Sequence, residues 1–342
     1  ARRGHSVRFL LQQAKGPLLA EVPSNVGIVD LNAPRLRNVL VPLISHMRRS
    51  PPTAVLAALW PLTGITLVAR ALANVPATAV ISEHTTLSRS KAYKGWSRRV
   101  HRSFGRRLYR YSDGVICVSK GVQQDICNLL KLSVDETTLV YNPIRPVPQS
   151  LGEIDEAARK FWDGAAARLI AVGSIKEAKD YPTLLRALAR LRVNTDGRLL
   201  ILGEGPLRDS LEALIASLGL GGAVLFGGYV ADPYPYMTAA DLLVLSSAWE
   251  GLSSVIIEAL ACGTPVVSTD CLSGPAEILA NGEYGPLVPV GDFVALAAAM
   301  EHALASPVDR ETLRRRGREF SVERAADQYL SLLDPIVEDS QF

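Results

Sequence analysis

Short β-rich runs alternate with helix-patterned stretches along the whole chain, and nothing else restricts its fold as tightly. In the first half the runs are Ser6–Leu11, Val26–Asp30, Ala54–Ala58, Ala77–Ser82, Val115–Val118 and Thr138–Tyr141. In the second half they are Arg168–Val172, Leu199–Leu202, Val224–Phe226, Leu242–Leu245 and Pro265–Ser268. A strand followed by a helix returns to its sheet by a crossover, which makes the strands parallel and covers the sheet faces with helices. The pattern predicts an α/β chain with two doubly wound sheets. The break falls at Asn142–Pro148, where three prolines block helix continuation and favour an extended linker. We expect an N-terminal domain over 1–147, a second domain over 148–320, and a segment 321–342 whose apolar spacing at Val322–Ile336 predicts a helix able to cross back to the first domain. In 342 residues each domain is long enough to bury its own core.

The formal net charge of +3 conceals a strong polarity. Residues 1–150 carry 21 Lys/Arg against 7 Asp/Glu, whereas residues 151–342 carry 16 against 27. A basic half of this kind suits an anionic partner, such as a membrane surface, a phosphorylated lipid or a nucleic acid. Nine of those basic residues lie in Arg89–Arg110, where Trp96, Val100, Phe104 and Leu108 recur every fourth position. The spacing predicts an amphipathic basic helix with its apolar stripe inward and Arg98, Arg99, Arg102 and Arg106 facing an anionic membrane or a lipid phosphate. Nucleic acid is not expected, because aromatic interleaving and a docking motif are both missing.

Cys117, Cys127, Cys262 and Cys271 have neither the spacing of a zinc site nor the density of a secreted disulfide scaffold, which points to reduced thiols in the cytoplasm. The longest apolar stretch, Thr53–Leu72, is interrupted by Pro61, Gly64 and Arg70, so no span is expected. The chain opens at Ala-Arg-Arg-Gly-His without a signal-peptide pattern, fitting a cytoplasmic protein or a trimmed fragment.

The strongest chemical signal is Glu250–Glu258, two acids with seven residues between them, placed after the Leu242–Leu245 run and entering a helix expected at Ser254–Cys262. The free N–H groups and dipole of such a helix start can cradle a diphosphate, and Gly251 allows close backbone approach. Ser254 and Glu258 then lie one turn apart on one face. The competing reading makes Glu258 a helix-dipole partner and Glu250 a surface acid. Gly203-Glu-Gly-Pro206 and Gly227-Gly228 are read as tight turns beside a nucleotide, or simply as turns.

Around that pair, the stretches Gly227–Met237, Ala240–Ser247, Trp249–Leu252, Glu258–Val267 and Asp270–Leu279 resemble family-4 glycosyltransferases. Arg3–Arg8, Ser82–Thr85, Ser112–Ser119 and Val140–Pro143 resemble landmarks of that family's N-terminal domain. The resemblance implies the GT-B fold of two facing Rossmann-like domains and transfer of a sugar from a nucleotide diphosphate with retention of configuration. It implies that Glu258 binds ribose hydroxyls, that Glu250 contacts the donor sugar, and that the amides of Gly251, Leu252 and Ser253 hold sugar and distal phosphate beside Ser254. Lys179 matches the lysine that neutralises the diphosphate leaving group, near Gly173. His84 matches a histidine reaching the donor sugar across the cleft. Gly203, Gly205, Gly228 and Tyr229 line the nucleotide side, and Glu277 matches an acid near the donor pocket. Ser174 stands where the family often has arginine, with Lys176 as a compensating cation or the serine as a neutral donor.

No metal or other cofactor is expected; the nucleotide sugar is a substrate, UDP-linked rather than GDP-linked. The acceptor implied is a lipid-linked or surface-polysaccharide glycan, met at the inner face of the cell membrane. Relatives also begin with an additional strand, glycine-rich loop and helix before the Arg-Gly-His-Ser-Val stretch, so the N-terminal sheet is expected to lack its first strand and helix. Two rival readings remain: a nucleotide-sugar-binding or membrane-docking module without turnover, and a nucleotide-sugar epimerase, which needs no acceptor.

Overall fold

The computed structural model describes residues 1–89, 105–306 and 308–333. Its strands are β1 (Val7–Leu11), β2 (Val26–Asp30), β3 (Ala54–Ala58), β4 (Thr78–Glu83), β5 (Gly114–Cys117) and β6 (Thr138–Leu139), then β7 (Ala167–Val172), β8 (Gly197–Leu202), β9 (Val224–Gly228), β10 (Leu242–Leu245), β11 (Val266–Thr269) and β12 (Leu287–Val288). Each pairing is parallel. The fold is α/β with two domains. Only the two-residue β12 has no counterpart among the sequence-predicted strands, being too short to show a period.

The second half forms one six-stranded sheet ordered β12-β11-β10-β7-β8-β9. Its central strands are apolar on both faces: Leu199, Leu200, Ile201, Leu242 and Leu243 are fully buried. Such strands require a helical layer on each side. Helices Tyr181–Leu191 and Phe293–Ala305 cover one face, and helix Ser254–Cys262 lies in the core on the other, with Ile256, Ile257 and Leu260 fully buried.

The strands of the first half fall into two sheets rather than one. β1 and β2 form a two-stranded sheet, while β3-β4-β5-β6 form another. Among the described residues β1 pairs only with β2 and β3 only with β4, so each keeps one open edge. On one side, Leu10, Val29 and Val55 pack into a shared core with Leu43 and Met47 of helix Leu40–Arg49 and Ala69 and Ala73 of helix Leu62–Ala73. On the other side Phe9, Ile28 and Leu56 remain 45%, 42% and 49% exposed, far from the full burial of Leu199–Ile201 and Leu242–Leu243 in the second sheet.

Helix Val322–Leu333 packs on the first half: Ala325 joins Val80, Ile116 and Val140 in a small core. The predicted extension of this helix to Ile336 lies outside the described residues, as do Arg98, Arg99 and Arg102 of the basic segment. Residues 105–109, at the end of that segment, are helical; Arg106 is exposed and Tyr109 is buried. Leu108 packs beside Gly64 and Trp60 in the main core. All four cysteines are buried and unpaired. Among the described residues no helix is long and apolar enough to cross a membrane.

Candidate functional site

In the six-stranded sheet the order runs outwards in opposite directions from β7 and β10, so a crevice opens at the carboxyl ends of these neighbours. The loops leaving the two strands supply the predicted cation and acid. Lys179 Nζ donates to Glu250 Oε1 at 2.7 Å, and the side chains are only 13% and 14% exposed. Ser247 Oγ donates to the same oxygen at 2.7 Å. The loops are tied together by Ser246 Oγ donating to the Lys179 carbonyl at 2.8 Å and Ala248 N donating to the Ala178 carbonyl at 2.8 Å. Lys179 lies across Gly173, where an added Cβ would stand 2.7 Å from its Cε. Sequence reasoning placed Lys179 and Glu250 in one site but did not foresee that they pair directly.

Glu258 sits one turn inside helix Ser254–Cys262, partly buried. Among the described residues its carboxylate makes no hydrogen bond or ion pair. Burial raises its pKa, and the nearby charges of Arg145 and Lys179 pull it back. An acid so enclosed and unpartnered can accept hydroxyl hydrogens from a ligand. The helix start is equally open: Ser253 caps it without a side-chain bond, and its buried hydroxyl has no partner. Among the described residues the N–H groups of Gly251, Leu252 and Ser253 donate to nothing, while Ser254 N turns back to the Leu252 carbonyl.

The predicted nucleotide-side glycines gather at the ends of β7, β8 and β9, and backbone contact explains their identity. A Cβ on Gly203 would lie 2.1 Å from the Gly173 carbonyl oxygen, and one on Gly205 would lie 2.2 Å from that of Ile175. Gly203 N donates to the Gly228 carbonyl at 2.7 Å, so three loops share one floor. Ser174, Lys176 and Tyr229 are exposed at its rim, and neither Ser174 nor the Lys176 side chain takes part in the Lys179–Glu250 pair.

The first half presses directly on this loop. An added Cβ on Gly251 would stand 2.0 Å from the His84 carbonyl oxygen. The His84 ring is partly buried, its pKa lowered by desolvation, and its Nε2 lies 3.0 Å from Ser82 Oγ. Thr86 Oγ1 donates to the Glu250 carbonyl at 2.8 Å. Ser119 Oγ and Ser273 Oγ each lie 2.7 Å from the Gly251 carbonyl and 2.7 Å from one another. The Glu277 carboxylate accepts from the Lys120 N–H at 2.7 Å and the Gly121 N–H at 3.2 Å, at the start of helix Lys120–Leu130. Behind His84, Glu83 is fully buried, and its Oε1 accepts from Tyr109 at 2.5 Å and Thr63 at 3.0 Å. Thr86, Ser119, Ser247 and Ser273 were not singled out from sequence; the available signal was that Thr86 and Ser119 closely follow the carboxyl ends of β4 and β5.

The two halves match two family models: "Glycosyltransferase Family 4" over residues 1–147 and "Glycosyl transferases group 1" over residues 154–320. The chain is 32% identical, over 79% of its length and 73% of the relative's, to N-acetylgalactosamine-N,N'-diacetylbacillosaminyl-diphospho-undecaprenol 4-alpha-N-acetylgalactosaminyltransferase of Campylobacter jejuni. This chain belongs to glycosyltransferase family 4. Among solved structures, the sucrose-phosphate synthase of Thermosynechococcus elongatus superposes with a TM-score of 0.80 at 22% identity, covering 99% of this chain and 90% of that one. Anabaena HepE in complex with UDP gives a TM-score of 0.74 at 20% identity, covering 91% and 86%. These likenesses identify the fold as GT-B. The glycosyltransferase therefore has its paired Lys179 and Glu250 at the crevice where open α/β sheets take ligands, with Glu258 behind them.

Proposed function

We propose that the enzyme transfers a sugar from a UDP-linked donor to a hydroxyl of a lipid-linked or surface-polysaccharide glycan, retaining the anomeric configuration. The observation carrying this reading is the unpartnered, partly buried carboxylate of Glu258 beside the Lys179–Glu250 pair at the β7–β10 crevice. Glu258 accepts the ribose hydroxyls, and the amides from Gly251 to Ser253 meet the distal phosphate. Lys179 turns from Glu250 to the diphosphate, where negative charge grows as the glycosidic bond breaks. Glu250, still held by Ser247, contacts the sugar hydroxyls. Neutral His84 faces the sugar from the other domain, and the diphosphate accepts the incoming hydroxyl proton on the face that the leaving group vacates. With Lys179 neutralising the diphosphate, no metal is assigned.

UDP is favoured by analogy with the UDP complex of the HepE fold relative. The acceptor class follows the diphospho-undecaprenol substrate named for the Campylobacter relative, and the basic first half suits approach to anionic lipid. Thermal stabilisation against a panel of nucleotide sugars, followed by calorimetry on Glu258→Ala, tests the reading. UDP-sugars should stabilise the protein and the variant should bind UDP at least tenfold more weakly, as expected for losing about 1.5–3 kcal/mol of charged hydrogen bonding. Unchanged affinity removes Glu258 from the ribose role. The bare faces of β1 and β3 favour a second reading, a donor-binding module without turnover; UDP-induced stabilisation with neither transfer nor hydrolysis would select it.

A further inference from the structure

Two consecutive carbonyls of the loop carrying Glu250 are gripped from the opposite domain. Thr86 Oγ1 donates to the Glu250 carbonyl at 2.8 Å, and Ser119 Oγ reaches the Gly251 carbonyl at 2.7 Å. Thr86 is 3% exposed and Ser119 is fully buried, so water does not compete at the hydroxyls. A trans peptide places its N–H opposite its C=O. Fixing those two carbonyls therefore turns the N–H groups of Gly251 and Leu252 to the far side of the loop, and among the described residues both are unused.

The Ser119 arrangement is constrained by proton count. Ser119 Oγ already accepts from Val122 N at 3.1 Å as the cap of helix Lys120–Leu130. Ser119, Ser273 and the Gly251 carbonyl make three short contacts, but the two hydroxyls bring only two protons. At least one of those protons must go to the carbonyl, which is the sole acceptor without a proton of its own. Contact at Gly121 keeps the arrangement in place: a Cβ there would meet the Leu272 carbonyl oxygen and Ser273 Oγ at 2.6 Å each.

We infer that Thr86 and Ser119 are positioning residues that set the Glu250–Gly251 and Gly251–Leu252 peptide planes across the domain junction, keeping two N–H groups presented to the distal phosphate of a nucleoside diphosphate. The inference rests on the donor-site reading above. It gives the N-terminal domain a part in diphosphate recognition through two side chains that themselves touch no donor atom.

The test is calorimetry on the full chain with UDP, GDP, ADP and dTDP, each compared with its monophosphate. The variants are Thr86→Val, which removes the hydroxyl, Thr86→Ser, which retains it, and Ser119→Ala. Thr86→Val should weaken the preferred diphosphate about tenfold, leaving the monophosphate within about twofold, and Thr86→Ser should restore most of the loss. Ser119→Ala should show the same selectivity with a smaller loss, because Ser273 Oγ still reaches the Gly251 carbonyl; as it also loses a helix cap, the Thr86 pair decides if that variant is poorly folded. Unchanged diphosphate affinity in Thr86→Val, or equal losses for mono- and diphosphate, overturns the inference and leaves the donor-site reading standing. If the unmodified protein binds no nucleoside diphosphate, the donor-site reading fails and this inference with it.

Discussion

Breaking the Lys179–Glu250 pair should expose how tightly stability and donor binding are tied together here. At 2.7 Å, an effective dielectric of about 20 gives ~6 kcal/mol of attraction, most of which is offset by removing two ions from water. The intact pair therefore contributes little net stability, whereas one partner left alone keeps its desolvation cost. A fully buried orphan would cost about 3–5 kcal/mol. Glu250 retains 14% exposure and its bond from Ser247, so we expect about 2 kcal/mol for Lys179→Met. That corresponds to a fall of about 4–8 °C in the melting of the C-terminal domain. Glu250→Gln should rescue the Lys179→Met background, because a neutral amide leaves no buried charge unpaired. Thermal melts of the two single variants and the double variant form a cycle with a coupling of at least about 1 kcal/mol. Titration of the same proteins with UDP should show that the double variant regains stability but not affinity, since Lys179 itself is needed by the diphosphate. Additive stability effects within about 0.5 kcal/mol, or affinity restored in the double variant, would refute this account.

Two further outcomes follow from buried contacts and one from the basic charge of the first half. Burial raises the Glu83 pKa against the hydrogen bonds from Tyr109 and Thr63, so the folded state binds its proton more tightly than the unfolded chain. Its favourable contribution is then present below the unfolded value of 4.5 and is lost as pH rises through the folded pKa, so Glu83→Gln should match the unmodified protein near pH 4 and gain on it in melts at pH 8. Gly251→Ala drives a methyl into the His84 carbonyl, 2.0 Å away, so small-angle scattering should show separated domains and transfer should vanish while the C-terminal domain stays folded; an unchanged radius of gyration counts against the contact. Liposome flotation should show binding to anionic but not zwitterionic vesicles, weakened when Arg98, Arg99, Arg102 and Arg106 are replaced by Gln; equal binding to both lipids would separate the basic half from membranes.

How much of this was legible in the residues depends on the range of each interaction. Strand runs such as Leu199–Leu202 and Leu242–Leu245 were readable because burial on both faces leaves a continuous apolar run in the chain itself. The helix start at Ser254 was local too, fixed by a loop glycine and an apolar period. The stretch Glu250–Glu258 was therefore legible as a loop after a strand end running into a helix start. The division of the N-terminal strands into two sheets was not anticipated. Its physical mark, the exposure of Phe9, Ile28 and Leu56, is invisible in residues that are apolar either way.

The sequence by itself determined which residues stand at strand ends and helix starts, because those follow from periods of two and 3.6 residues and from glycine's lack of a Cβ. Only the tertiary structure decided what they meet. Lys179 pairs with Glu250 across 71 residues, Ser119 reaches Gly251 across 132, and Glu277 accepts from the start of a helix 157 residues earlier. Hydrogen bonds and ion pairs act over about 3 Å, and no local pattern encodes which distant loops the packing of two domains brings within that distance.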